Sequence, residues 1–354
     1  MTTNRGHDLQ RNILIPNDEP FIIAEMSANH KQSLDQALDI VTQAAKAGVD
    51  ALKLQTFTPQ TMTLDVNSDE FVISDPASIW YGYSLYALYE KAAIPWEWHK
   101  PIFNKCQECG IVGFSTPFDS TAVDFLEECG VPLYKISSFE NCDIPLIEKC
   151  AATGKPLIIS TGLASVSELE EAVNAARRAG CQDLTLLKCT SSYPAEPEDA
   201  NLRTLSHLSE LFQCRVGISD HTMGIAAAIV SIVLGGNVIE KHFTLKREEG
   251  DLDGKFSLEP TEMQRLVLEV RQAAKMLGKV HYGLTKRELG SLQFKRSLYV
   301  TQDILKGDAL TSENIRAIRP GNGLKPKYYH QVLGYKAKKD LKKGTALHWD
   351  LIYD

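Results

Sequence analysis

Residues 21–57 read FIIAEMSANHKQSLDQALDIVTQAAKAGVDALKLQTF. The stretch opens on an apolar, β-branched run, and then Leu34, Ala37, Leu38, Val41, Ala44 and Ala45 recur at helical spacing on one face. Ser33 followed by Gln36 has the spacing of a capping box, and Gly48 supplies a stop. ALKLQTF is strand-like again, so the segment is one strand–helix–strand unit of a parallel sheet. The same rhythm continues through VGFSTPF (112–118), LYKISS (133–138), LIISTG (157–162), LTLLKCTS (184–191), RVGISDH (215–221) and VIEKHFTL (238–245), each followed by a helical pattern. Ser165 with Glu168 repeats the capping device, and Gly180 repeats the stop. Eight units in about 260 residues predict an α/β fold, a (β/α)8 barrel.

The rest of the chain sets limits on function. With 354 residues and 44 % hydrophobic content it is neither disordered nor fibrous. The net charge of -7 argues against a nucleic-acid binder. Eight cysteines fall between Cys106 and Cys214 in regular segments, which predicts reduced thiols and a cytoplasmic location. Cys106 and Cys109 form a CxxC without a second pair, too little for a zinc site. The opening MTTNRGHDLQ has no apolar run of a secretory signal. The longest uncharged run, 222–239, is broken by Gly235, Gly236 and Asn237, so no membrane span is expected.

Three segments follow: a barrel over 1–278, a polar linker over 279–293, and a small mostly-β domain over 294–354. The last carries 12 basic against 6 acidic side chains, opposite in sign to the rest. It contains an echo, D-x-x-K-G-x-A-L, at Asp303, Lys306, Gly307, Ala309 and Leu310 and again at Asp340, Lys343, Gly344, Ala346 and Leu347, which predicts pseudo-symmetry. The connection after the second strand, 58–95, is too long for an ordinary barrel loop. Residues 80–98 hold seven aromatic rings, fitting either a satellite core or a wall of the substrate pocket, with Tyr83, Tyr86 or nearby rings as its surface.

Barrel chemistry sits at the C-terminal strand ends. Lys53 and Lys135, with serines and threonines at neighbouring ends, would cradle a phosphorylated or carboxylated anion, or else form structural ion pairs. His221 and His242 would share one divalent ion with open positions, or form a hydrogen-bonded acid–base pair. Glu25 and Glu140 could divide the activation of water and the handling of a hydroxyl proton between them, or serve as lysine partners. Lys188 is a possible Schiff-base nucleophile, the signature of a class I aldolase or lyase. His7, His207, His281, His330 and His348 fall outside the strand ends and read as surface or packing residues.

The motifs IIAEMSANH, ALKLQTF, FSTPFD, YKISSFE, IISTG, CTSSYP, GISDHT, EKHFT, DGKFSLEP and RPGNG, in this order, resemble the sialic acid synthase family along nearly the whole chain. The resemblance implies a (β/α)8 TIM barrel followed by an antifreeze-like (SAF) domain. It also implies condensation of phosphoenolpyruvate with an N-acetylated amino sugar, releasing phosphate and forming a nine-carbon keto acid. Lys53, Lys135, Ser137, Ser160 and Ser219 then resemble the phosphoenolpyruvate contacts, and His221 and His242 the ligands of Mn2+ or Mg2+. Glu25 resembles a substrate-positioning carboxylate, Glu140 a group near the reacting enol carbon, and Asp253 a sugar contact; Gln55 and Tyr193 are further candidate sugar contacts. Arg319 resembles an arginine that reaches the sugar's N-acyl group in the neighbouring subunit, implying a homodimer that exchanges its C-terminal domains. The chain departs from the N-acetylneuraminate enzymes at Ser191, where they carry Asn. The SANH segment and the aromatic connection look most like the pseudaminic acid branch, whose acceptor is a diacetamido 6-deoxy sugar. N-acetylneuraminate and legionaminate synthesis are the alternatives within the family.

Overall fold

The computed structural model describes residues 15–16, 19–66, 68–248 and 251–354, so the reading of His7 lies outside the described residues. The chain divides into two compact units, Met1–Gly278 and Lys279–Asp354.

In the first unit, β1 (Phe21–Glu25), β2 (Ala51–Thr56), β3 (Val112–Pro117), β4 (Tyr134–Ile136), β5 (Leu157–Ser160), β6 (Leu184–Cys189), β7 (Arg215–Asp220) and β8 (Val238–His242) form a closed parallel barrel. Closure sets His242 opposite Glu25 in register. α1 (Leu34–Ala47) follows β1. The long connection after β2 holds α2 (Pro59–Met62) and α3 (Leu85–Ala92) before α4 (His99–Glu108). The remaining strands are followed in turn by α5 (Ser120–Cys129), α6 (Ile144–Ala152), α7 (Val166–Arg178), α8 (Thr204–Phe212), α9 (Ala226–Val233) and α10 (Pro260–Leu277). No helix among the described residues is long and apolar enough to cross a membrane.

The capping rules hold with one correction. Ser165 and Glu168 form the full reciprocal box. Ser33 accepts from the Gln36 N–H at 3.3 Å, but its own N–H already donates to the His30 carbonyl, so the Gln36 side chain turns instead to the Asn29 carbonyl at 2.6 Å. Gly48 closes α1 at φ +90°, a conformation that a side chain resists.

Successive side chains of a strand alternate between the barrel interior and the helix layer. The interior set begins apolar, with Ile23, Ala51, Leu133, Ile158 and Val238 buried together. Two residues further along the same strands stand Glu25, Lys53, Lys135, Ser160 and Glu240. An apolar plug therefore fills the N-terminal half of the barrel and a polar floor crowns it, and the chemistry begins at that floor.

The second unit pairs β9 (Ser297–Val300) with β10 (Ile315–Ile318), and β11 (Lys336–Ala337) with β12 (Ile352–Tyr353), both antiparallel, with α11 (Tyr329–Val332) between the pairs in sequence. The echo is structural: the Lys306 N–H donates to Asp340 Oδ1 and the Lys343 N–H to Asp303 Oδ1, both at 2.8 Å. Ile304 and Leu341 exchange backbone hydrogen bonds at the pseudo-axis. Each aspartate thus closes the turn of the other repeat. Residues 279–293, read as a linker, are exposed throughout and run into a short 3-10 turn at Leu289–Phe294.

Candidate active site

The polar floor opens into a cavity of about 400 Å3 lined by Glu25, Lys53, Gln55, Lys135, Ser137, Glu140, Ser160, Tyr193, Ser219, His221, His242 and Asp253, whereas the candidates Lys188, Tyr83 and Tyr86 lie outside it. Arg319 lies in the second unit, exposed, directly after β10.

Two buried lysines organise the floor. Lys53 Nζ meets Glu25 at 2.7 Å, Thr116 Oγ1 at 3.1 Å and Glu240 at 3.7 Å. Lys135 Nζ bonds both oxygens of Glu240 at 3.1 Å, and Ser219 Oγ donates to the same carboxylate at 3.2 Å. Burial alone would push Glu240 up, but Lys135 and Lys53 outweigh it and hold this carboxyl well below its usual range. Burial dominates at Lys135 and lowers it, whereas at Lys53 the Glu240 and Glu25 carboxylates prevail over burial and raise it. Ser160 Oγ is buried in the same floor with no partner, and a buried hydroxyl left unpaired is the mark of a place that a ligand fills. The ion pairs read as one of the alternatives are present. The lysines are pre-paired with Glu25 and Glu240, and the unpaired Ser160 hydroxyl lies in the same floor. Glu240, within the EKHFT motif, had no role assigned from the sequence; its spacing from Val238 and His242 marks it as inward-facing.

Gln55 links Glu25 to the next layer, donating to Glu25 Oε1 and Ser27 Oγ, both at 2.9 Å. Ser27 in turn bonds Asp253, which also accepts from the Ala28 N–H at 3.3 Å. On the opposite rim Glu140 presents an unpartnered Oε2, and burial lifts its carboxyl to about 7.

His221 and His242 face each other with ring centroids 5.3 Å apart. Because a carbonyl only accepts, His221 Nδ1 donates to Thr190 O at 2.9 Å and leaves its Nε2 lone pair free. Burial, then the neighbouring His221 and lysines, push His242 well below the usual imidazole range, and its buried Nδ1 has no partner. At His221 burial is outweighed by the neighbouring Cys189, which raises the imidazole, so a divalent ion there would compete with a proton, whereas His242 is held neutral. No cluster of three or more His, Cys, Asp or Glu completes a metal cage among the described residues. Two imidazoles alone would leave most coordination positions of an ion to other ligands.

Aromatic surface flanks the histidines: Tyr193 lies 4.4 Å from His221, Phe256 4.7 Å from His242, and Trp80 5.4 Å from Tyr193. Of the long connection, Trp80 and Tyr89 line the cavity, whereas the named candidates do not. Tyr86 OH accepts from Gln60 at 2.6 Å, and Tyr83 packs against Lys91. Trp96 stacks on Phe125 at 4.6 Å, so one connection builds both a pocket wall and a satellite core. Lys188 lies between the inward-facing Leu187 and Cys189, points to the other face and donates to Thr190 Oγ1 at 2.6 Å. Lys188, the nucleophile named for the aldolase alternative, does not line this cavity.

The NeuB family model matches residues 40–282, and a SAF domain model matches residues 295–352. The chain belongs to the NeuB family. Two relatives from Campylobacter jejuni rank its likeness within NeuB: pseudaminic acid synthase is 44 % identical, covering 92 % of this chain and 95 % of the relative. N,N'-diacetyllegionaminic acid synthase is 35 % identical, covering 92 % and 98 %. Among solved NeuB-like structures, the N-acetylneuraminic acid (sialic acid) synthetase of Leptospira borgpetersenii in complex with citrate superposes with a TM-score of 0.69 at 31 % identity, over 78 % of this chain and 92 % of that one.

Proposed function

We propose that this NeuB-family chain condenses phosphoenolpyruvate with the open-chain form of 2,4-diacetamido-2,4,6-trideoxy-altrose and water, giving pseudaminic acid and phosphate. The observation that carries the reading is the floor itself: two buried lysines and an unpaired serine hydroxyl set beside two facing histidines in one cavity. The higher identity to the pseudaminic than to the legionaminic relative supports the choice of sugar, as does the aromatic wall, which suits a methyl and acetamido groups better than extra hydroxyls.

Lys53 and Lys135 hold the phosphoenolpyruvate charges, with Ser137, Ser160 and Ser219 fixing their geometry. Gln55, Tyr193 and Asp253 orient the sugar chain, and Glu25 steadies the pair of reactants. His221 and His242 would hold Mn2+ or Mg2+, which supplies Lewis-acid polarisation of the acceptor's aldehyde when bound. C3 of phosphoenolpyruvate bonds to the aldehyde carbon, and the former carbonyl oxygen takes a proton from solvent water. Water adds to the resulting cationic C2 and Glu140 takes one of its protons; the bond from C2 to the phosphate oxygen then breaks as the new C2 hydroxyl passes its remaining proton to the departing phosphate, leaving the ketone. Arg319 completes the pocket from the neighbouring subunit of a homodimer. Support comes from its match to the family's arginine and from the exposed apolar side chains Val280, Tyr282 and Phe294 leading to its domain. We place the reaction in the cytoplasm, where phosphoenolpyruvate is made.

Incubation with phosphoenolpyruvate, Mn2+ and a panel of amino sugars in 18O-water, followed by mass analysis, tests this. The expected product carries one 18O at C2, is made fastest from the diacetamido sugar, and leaves unlabelled phosphate. Labelled phosphate, or a faster reaction with N-acetylmannosamine, overturns the bond assignment or the sugar assignment respectively.

A further inference from the structure

The SANHKQ segment, residues 27–32, is a bent bracket. Ser27, Lys31 and Gln32 have φ of +46°, +48° and +54° without a glycine among them, a conformation held only where surrounding contacts over-determine it. Those contacts are present at one end. Ser27 bonds Asp253, and Asn29 Nδ2 donates to the Phe243 carbonyl at 3.0 Å and to Ser257 Oγ at 2.9 Å, which fastens the segment to the chain just beyond His242.

At its other end the bracket grips α3. A helix C-terminus leaves its last carbonyls without partners. Fully buried His30 donates from Nε2 to the Ala92 carbonyl at 3.1 Å, while its Nδ1 accepts from the Gln32 N–H at 3.1 Å. The Gln32 amide donates to the Lys91 and Ala93 carbonyls at 2.9 and 2.7 Å. Three carbonyls at the end of α3 are thereby satisfied by two side chains of the bracket. α3 presents Leu85, Leu88 and Tyr89 to the cavity.

We infer that His30 and Gln32 are positioning residues for acceptor recognition: by capping α3 they fix the apolar wall of the sugar pocket relative to the site below it. The inference rests on the reading of this wall as the acceptor side.

The test compares wild type, His30→Leu and Gln32→Ala, with His30→Gln as the conservative variant. Gln32 is exposed, so its variant folds even if a buried His30 variant does not. Hydrogen exchange of the 85–93 amides should quicken in His30→Leu and Gln32→Ala. The KM for the diacetamido sugar should rise about tenfold, while the KM for phosphoenolpyruvate and Mn2+ affinity stay put, and His30→Gln should recover part of the loss. Faster exchange with unchanged sugar KM, or equal rises in both KM values, overturns the positioning role. A wild-type protein that forms no product with any sugar overturns the reading of the reaction instead.

Discussion

Glu140 stands in the cavity with one oxygen unpartnered and its carboxyl lifted to about 7 by burial, against a partial pull downward from Lys135. Its ionised form, the proton acceptor, therefore prevails above neutrality and is lost as pH falls through about 7. kcat/KM should rise between pH 6 and 8 with an inflection near 7, and Glu140→Gln should be about 100-fold slower with that limb gone. A surviving limb would assign the titration elsewhere. The histidines answer to a different measurement. His221→Ala and His242→Ala should each weaken Mn2+ binding at least about 100-fold, read by the free-ion electron paramagnetic resonance signal, with the melting temperature nearly unchanged. Each removes a strand-end imidazole rather than core volume.

Between elements, β7 and β8 are tied by more than their backbone ladder. Lys241 and Asp220 are register partners on the face away from the cavity, wholly buried and paired at 2.7 Å. Lys241 also bonds the Thr222 carbonyl, and Asp220 accepts from Thr222 at 2.9 and 2.8 Å. A buried pair is costly to desolvate, so removing one partner is worse than removing both. Lys241→Met should destabilise the barrel by about 3–5 kcal/mol in urea unfolding, and adding Asp220→Leu should recover most of that loss. No recovery would mean that the pair is not balanced within itself. Gly217, on the inward face of β7, shows how tightly these strands approach: a methyl there would lie 2.0 Å from the Val238 carbonyl oxygen.

At the scale of the whole molecule, acid stability and assembly are the two open tests. Buried His99 at the start of α4 bonds Thr56, which bonds Ser115, and burial depresses the imidazole to about 4. The unfolded chain takes up a proton near 6.5 and the native one does not, so this contribution is complete above 6.5 and is lost as pH falls towards 4. Between pH 7.5 and 5 wild type should lose about 2 kcal/mol more than His99→Gln, followed by tryptophan fluorescence, which reports mainly on the barrel. Equal losses would place the proton elsewhere. For assembly, Arg319→Ala and His221→Ala homodimers should be nearly inactive. After random exchange, about a quarter of wild-type activity should return, because each mixed dimer keeps one intact site. If exchange is verified by mass and no activity returns, Arg319 does not act across subunits.

Order and type of the elements were legible in the amino-acid sequence because they rest on short-range physics. The 3.6-residue period of Leu34 to Ala45, the serine caps and the glycine stops act within one turn, and eight such units with short links close in only a few ways. The strand-end lysines, serines and histidines were legible for the same reason, since alternation along a strand is local. Partner choice was not. Whether Lys135 faces Glu240 or Glu25 depends on which strands meet when the barrel closes, Lys188 fell to the wrong face by one residue of phase, and Trp80 and Tyr89 rather than Tyr83 and Tyr86 reach the cavity because of how the long connection folds back. Those outcomes are set by contacts between residues distant in sequence, among them His30 and Gln32 with the end of α3, about 60 positions apart. Only the tertiary structure decides them.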